Sequence, residues 1–495
     1  MLTTSLWLWV MTFLINVLTP LLIWVLVLIL LFGDKIPSIR LYIIWRFLGV
    51  GVISHWLFDI QLIYFGVWGV EYMILLVILI CLIVWKYKYH FDEFISALTI
   101  HPDLTFWSDV KRSYFDSSII AKWIIIIWLV YVWYFCLHSM IHTTHFPAYA
   151  DDSFGNRNKP AVNIYYDWWY TVWWQTWEIL WRARLWYPIH LSVYKSMLAD
   201  MQWWRYDVYM DRFQYIWFIL ILFLSFHVTR YKTKNIFFSV LPSILICGMP
   251  LIFWHVIDSY HELPSVYYSI IAIYMLYLSL QDDDLDYLSL GLIFLWILAY
   301  IKNDWFVVYV PSIIISISMI YLHQSKLLFI IRKTVSSFKH LAILVVSAVL
   351  MFLPFLFIKF FYGLWFNQAQ WTESGIWLSQ TVHWEIFGQF KNIFWSENNY
   401  NLILIFMWLI IYVWYQFISK KQQSNLIFLC ISPVILFIVF TLVFLLTENY
   451  QFVMNQTTVN RTYTACFMIS LFFVWVIMYE YINYIPVYQR KNKSS

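Results

Sequence analysis

Lys122-Trp123-Ile124-Ile125-Ile126-Ile127-Trp128-Leu129-Val130-Tyr131-Val132-Trp133-Tyr134-Phe135-Cys136-Leu137-His138-Ser139-Met140-Ile141-His142 carries its only permanent charge on its first residue. A helix of that length rises about 30 Å, the thickness of a bilayer's hydrocarbon core. Its aliphatic and aromatic residues leave no polar face that water could solvate, so the run reads as a membrane span.

The pattern repeats in both directions. Stretches long enough to cross occupy residues 6–32, 41–66, 69–86, 122–142, 213–229, 236–257, 264–281, 285–301, 305–323, 340–361, 399–418, 425–446 and 463–485, about thirteen crossings. The 495 residues are 63% hydrophobic, 22% aromatic and 12% charged, with mean hydropathy +0.70. That leaves too little polar surface to coat a soluble globule. The expected fold is an all-α polytopic membrane protein. The first apolar run has no basic residues ahead of it and exceeds a signal-peptide core, which predicts a retained span. The five cysteines, Cys81, Cys136, Cys247, Cys430 and Cys466, all lie in apolar stretches without metal or redox spacing and read as packing residues. A dispersed net charge of +4 predicts no nucleic-acid partner.

Lys and Arg near span ends stay in the cytoplasm, so the basic loops orient the chain. Lys35 and Arg40, Lys86 and Lys88, Arg230, Lys232 and Lys234, Lys326 through Lys339, Lys420 and Lys421, and Arg490, Lys491 and Lys493 fall on one side of the count. The N-terminus is then outside and the C-terminus cytoplasmic. Residues 143–212, 362–398 and 447–462 are expected outside. The chain divides into a three-span N-terminal addition (1–88), a cytoplasmic linker of mixed charge (89–121), a membrane module (122–485) and a basic tail (486–495).

The outer segment 164–212 holds Trp168, Trp169, Trp173, Trp174, Trp177, Trp181, Trp186, Trp203 and Trp204 among arginines. Amphipathic Trp-rich helices lie in the headgroup plane. Such helices are anchors at least, and their aromatic faces could also hold a sugar or a polyprenyl chain.

Certain charges need a reason. Asp151 and Asp152 stand side by side just after the span ending at His142. Mutual repulsion and one-sided desolvation suit one of them to act as a general base toward an acceptor hydroxyl; the plainer reading is two solvated loop aspartates. Lys302, in Lys302-Asn303-Asp304, and Arg461, in Asn460-Arg461-Thr462, are outer cations that topology does not require. Each suits a lipid phosphate, against the alternatives of a Lys–Asp turn and a snorkelling arginine. His255, Asp258, Tyr260, His261 and Glu262 cluster in another outer loop and could bind sugar hydroxyls, orient the base or coordinate a metal, against the plainer reading of a hydrophilic turn. His142 and His145 with the two aspartates form a metal alternative, although their spacing matches no metal signature.

In order and sidedness these motifs resemble the GT-C superfamily of polyprenyl-phosphate-dependent glycosyltransferases, among them the protein mannosyltransferases and the bacterial lipid A aminoarabinose transferases. The resemblance covers residues 120–485. It rests on Ala150-Asp151-Asp152-Ser153 with the Trp-rich helices and Tyr187-Pro188-Ile189-His190, on Tyr260-His261-Glu262-Leu263-Pro264, on Leu290-Gly291 through Lys302-Asn303-Asp304, and on Asn460-Arg461. Asp304 stands where the family has glutamate, Trp305 where it has glycine, and His261-Glu262 where it has Ala-Asp. The three leading spans have no counterpart in the minimal module. The resemblance implies inverting sugar transfer on the non-cytoplasmic face of the plasma (inner) membrane. Asp151 or Asp152 would be the base, Lys302 and Arg461 would hold the donor phosphate, and His190, Asp258, Tyr260, Glu262 and Asp304 would contact substrate. No cofactor is required. The implied partners are a polyprenyl-phosphate sugar, membrane lipids and a glycan, lipid or protein acceptor. An O-antigen-type polymerase or ligase and a lipid-linked-glycan transporter or flippase are the competing readings; the first places its long loop late, and the second calls for repeats and mid-membrane charges.

Overall fold

In hydrocarbon a backbone amide has no water to bond, so a spanning segment must satisfy its own hydrogen bonds and coils into a helix. The computed structural model follows that rule. It describes residues 70–88, 104–145, 195, 207–257, 262–301, 303–323, 326–361, 382–389, 408, 424–447, 450–454, 463 and 465–477, and no strand occurs among them. Three of the described helices are long and apolar enough to cross a membrane, Ile119–Thr143, Glu262–Asp282 and Leu426–Leu446, and several shorter apolar helices accompany them. The chain divides into two compact units, residues 1–184, 189–244 and 256–259 in the first and 185–188, 245–255 and 260–495 in the second.

The first unit contains α1 (Val70–Tyr87), α2 (Leu104–Phe115), α3 (Ile119–His145), α4 (Asp207–Thr233) and the greater part of α5 (Ile236–Cys247). The α3 helix begins three residues before the expected span because Ser118 caps it, its Oγ accepting the Ala121 N–H at 3.2 Å. Asn235 does the same for α5 through the Phe237 N–H, at 2.9 Å. Ile125, Ile236 and Val240 form a small core. Trp128 packs on Phe237 at 4.9 Å between ring centroids, and Phe135 on Phe218 at 5.4 Å. Much of α3 is uncovered, with Trp123, Ile127, Val130, Trp133 and Tyr134 each 58–64% exposed. Large apolar side chains left uncovered in this way are stable against lipid rather than water, which agrees with a membrane-embedded helix. Within residues 89–121, read as a plain linker, the structure forms the amphipathic helix α2.

The sequence reading took 236–257 as one span. The structure instead breaks it into α5 and a separate helix, α6 (Pro250–Ile257). Pro250 has no N–H to continue the ladder and its ring clashes with the preceding turn, so the helix ends at Cys247 and restarts.

The second unit is built around α7 (Glu262–Asp282), in which every residue from Glu262 to Leu280 is buried. The α8 helix (Leu285–Ile301) returns beside it after a turn in which Asp283 adopts φ 51° and the Asp284 Oδ1 accepts the Asp286 N–H at 2.8 Å. Gly291 lets the two helices approach closely: a β-carbon there would lie 2.7 Å from Leu276 Cγ. α9 (Asn303–His323), α10 (Leu327–Ser336), α11 (Phe338–Phe361), α12 (Ser424–Leu446), the short α13 (Tyr450–Met454) and α14 (Ala465–Ile477) follow. The loop 324–339 thus contains a helix of its own, α10.

Loops that the charge count places on one face meet within each unit. At one end of the second unit Lys326 Nζ pairs with Asp283 at 2.8 Å, Lys333 Nζ donates to the Asp283 carbonyl at 3.0 Å, and Lys339 and His340 reach Asp286 at 3.2 and 2.8 Å. In the first unit the Arg230 Nη2 donates to the Asp109 carbonyl at 2.8 Å, and the Ile236 N–H bonds Ser113 Oγ at 3.3 Å.

Candidate functional site

Of the residues singled out from sequence, Asp151, Asp152, His190, Asp258, Tyr260, Lys302 and Arg461 lie outside the described residues, as do nearly all of 164–212. His142, His145, Glu262 and Asp304 lie within them. His142 and His145 close α3 in the first unit, where the buried Thr143 hydroxyl donates to the Ser139 carbonyl at 3.0 Å. No group of three or more potential metal ligands occurs among the described residues.

The geometry of the second unit collects the remaining candidates at one place. α7 starts at Glu262, runs to the Asp283 turn, and α8 returns to Ile301, two residues before α9 begins. Glu262 and the backbone of Asp304 therefore stand at the end opposite the Asp283–Lys326 cluster. Glu262 is only 3% exposed and occupies the first turn of its helix, where the helix dipole favours a carboxylate. His255, on α6, is likewise buried.

Aromatic contacts bring α12 and the last helix to the same end. Tyr309, in the second turn of α9, meets Phe440 edge-on at 5.3 Å between centroids. Phe437 and Phe444 flank the Tyr463 ring, and Thr441 Oγ1 and the Tyr463 hydroxyl are 3.0 Å apart. Beyond α12 the chain folds back on the segment 382–389. The His383 N–H donates to the Leu445 carbonyl at 3.0 Å, and its ring lies flat on Tyr450, 3.6 Å between centroids with 6° between planes.

His383 was not picked out by sequence reasoning. Its Nδ1 lies 2.9 Å from Glu385 Oε1. An ionised carboxylate can only accept, so Nδ1 carries the proton in this contact. Glu385's own backbone N–H, then the His383 ring, hold its carboxyl below the usual glutamate range. A carboxylate at Nδ1 fixes a histidine's orientation and directs Nε2 to proton exchange. The only sequence signal was the spacing Thr381-Val382-His383-Trp384-Glu385, a His-x-Glu in a turn, which is too common to identify a site.

The arrangement therefore places a buried carboxylate, a carboxylate-oriented histidine and the start of α9 at one end of a helical bundle. Compared with known proteins, the chain matches no family model, no curated protein and no solved structure.

Proposed function

We propose that this chain is a multi-pass membrane glycosyltransferase of the GT-C kind. It has about thirteen spans, its N-terminus outside and its C-terminus in the cytoplasm, and it works on the non-cytoplasmic face of the plasma (inner) membrane. Its donor is a polyprenyl-phosphate sugar and its acceptor a hydroxyl on a glycan, lipid or protein. Asp151 or Asp152 takes the acceptor proton as the hydroxyl oxygen attacks the anomeric carbon. The bond from that carbon to the phosphate oxygen breaks on the opposite face, its electron pair leaving with the polyprenyl phosphate, so configuration inverts. Lys302 and Arg461 bind the phosphate whose charge grows as the bond breaks, the larger electrostatic part of such a step. His190, Asp258, Tyr260, Glu262 and Asp304 hold the sugar and the acceptor.

The observation that supports the reading most is the convergence, at one end of the second unit, of the helix starts carrying Glu262 and Asp304 with Tyr463 and the end of α12. Glu262, Asp304 and Tyr463 come from distant parts of the sequence, and each lies in or beside one of the motifs that carry the family resemblance.

The test is transfer of radiolabelled sugar from a panel of polyprenyl-phosphate monosaccharides, in membranes carrying wild type, Asp151→Asn or Asp152→Asn at equal protein level. Loss of transfer in one variant supports the class and names the base. Transfer that survives both substitutions, or no transfer from any donor in wild type, refutes it in favour of a polymerase or a transporter.

A further inference from the structure

The first unit contains a cavity that the proposed chemistry does not use. About 530 Å³ in volume, it is lined by Asp109, Arg112, Ser113, Asp116, Ser117, His227, Arg230, Tyr231, Lys234 and Asn235. That volume suits a small molecule or a headgroup. Small-molecule pockets are ordinarily lined with apolar side chains around a few polar ones. This lining is polar or charged throughout, which suits a charged ligand.

The walls have different origins. α2 supplies Arg112 and the Ser113 hydroxyl, and Ser117 follows just beyond its end. The last turns of α4 and the reversal into α5 supply His227, Arg230, Tyr231, Lys234 and Asn235. Lys234 reaches the cavity because the chain reverses there through a left-handed residue, φ 51°, closed by its own N–H on the Arg230 carbonyl at 2.9 Å. Arg230 is the deepest cation, 5% exposed. Its bond to the Asp109 carbonyl, a neutral acceptor, positions the guanidinium in the wall. Three permanent cations face two carboxylates, and Asp116 is engaged with Arg112 at 3.7 Å on the exposed rim.

Immediately beside α2 the chain presents Phe115, Ile119, Ile120 and Trp123, all 60–72% exposed. A polar, cation-bearing cavity with an apolar flank fits the boundary between headgroups and acyl chains. The charge rule places this end of the unit in the cytoplasm, where anionic lipids are concentrated.

We infer that this cavity binds an anionic phosphate-bearing ligand, Arg230, Lys234 and Arg112 taking the phosphate oxygens and the Ser113 hydroxyl, whose oxygen already accepts the Ile236 N–H, donating to them, while the Ser117 hydroxyl is committed to the Ser113 carbonyl at 2.7 Å. Phosphate is the shared chemistry, and an anionic lipid headgroup and free phosphate are its two sources. The inference is independent of the glycosyltransferase reading.

The experiment uses the full-length protein in mixed micelles with either phosphatidic acid or phosphatidylcholine, lipid retention being read by native mass spectrometry and competed with inorganic phosphate. The variants are Arg112→Gln/Lys234→Gln and, separately, Arg230→Gln. Arg332→Gln, an exposed cation in the second unit, is the control. The double variant keeps the buried Arg230 anchor and so remains interpretable if Arg230→Gln fails to fold. Phosphatidic acid is expected to be retained over phosphatidylcholine and to fall about a hundredfold in the double variant, roughly tenfold for each of two lost charged hydrogen bonds, while the control is unchanged. Displacement by inorganic phosphate identifies the headgroup phosphate as the recognised group. Protection from thermal unfolding by inorganic phosphate, lost in the double variant and seen without lipid retention, identifies free phosphate as the ligand. The inference fails if neither probe distinguishes the double variant from the control, or if phosphatidylcholine is retained equally well.

Discussion

Replacing Gly291 by alanine probes the crossing of α7 and α8 directly. The new methyl would lie 2.7 Å from both Leu276 Cγ and Cδ2 and 3.2 Å from the Ala272 carbonyl oxygen, whereas carbons ordinarily rest ~3.5–4.0 Å apart. Leu276 is fully buried, so it cannot swing into lipid, and the overlap of about 1 Å with ordinary contact must be relieved by separating the helices. Overpacking of this kind costs roughly 1–3 kcal/mol. Alanine recovers about 1 kcal/mol of helix propensity over glycine, which leaves a net loss on the order of 1 kcal/mol. Leu276→Ala alone opens a cavity and costs about 2–5 kcal/mol. In the double variant the methyl introduced by Gly291→Ala enters the vacated space, so its loss should fall short of the summed single losses by about 1–2 kcal/mol. Denaturant unfolding of the four proteins in one detergent gives the cycle. A Gly291→Ala protein as stable as wild type, or additive losses, would show that the helices are not in close contact there.

Two further outcomes are expected. Trp133, 64% exposed near the middle of α3, should tolerate no charge: Trp133→Arg adds roughly 3 kcal/mol to insertion, so a glycosylation acceptor placed after His145 in the full chain should report less crossing, and undiminished crossing would contradict lipid exposure. For Glu385, whose folded pKa is lowered, the stabilising contribution is full above the ordinary glutamate value of about 4.3 and is lost as pH falls through the lower folded value. Hydrogen exchange across 382–389, corrected for its intrinsic pH dependence, should therefore rise on acidification in wild type and be already raised at neutral pH in Glu385→Gln; identical profiles would remove the His383 contact from the account.

Among the described residues, three helices were legible from apolar length alone, while the expected spans 6–32, 41–66 and nearly all of 399–418 lie outside those residues. The expected spans 305–323, 340–361 and 425–446 correspond to Asn303–His323, Phe338–Phe361 and Ser424–Leu446, because continuous hydrophobicity admits no other hydrogen-bonding solution in a bilayer. The short turn between 264–281 and 285–301 was legible for the same reason, since Asp282-Asp283-Asp284 interrupts the run. Amphipathic α2 and α10 were not, because their mixed faces resemble ordinary charged loops until a neighbour covers one side. The break at Gly248-Met249-Pro250 was written in the chain but outweighed by the apolar residues around it. At the candidate site, Glu262 and Asp304 stood out as charges at span ends. His383 did not: its partner Tyr450 is sixty-seven residues away in sequence, and only the fold brings the rings together.

The enclosure of α7 bears on how the protein is made. In the finished molecule this helix meets almost no lipid, yet it must leave the insertion machinery before the helices that enclose it from the C-terminal side have been synthesised. Its tyrosines and serines make it less apolar than the other two long spans, so of the three it is held least strongly in hydrocarbon on its own. The brevity of the Asp283–Asp284 turn offers a remedy: α7 and α8 can enter as a hairpin, with Gly291 already seated against Leu276. Errors at that crossing would then surface first as failed biogenesis, degraded before any loss of activity could be measured.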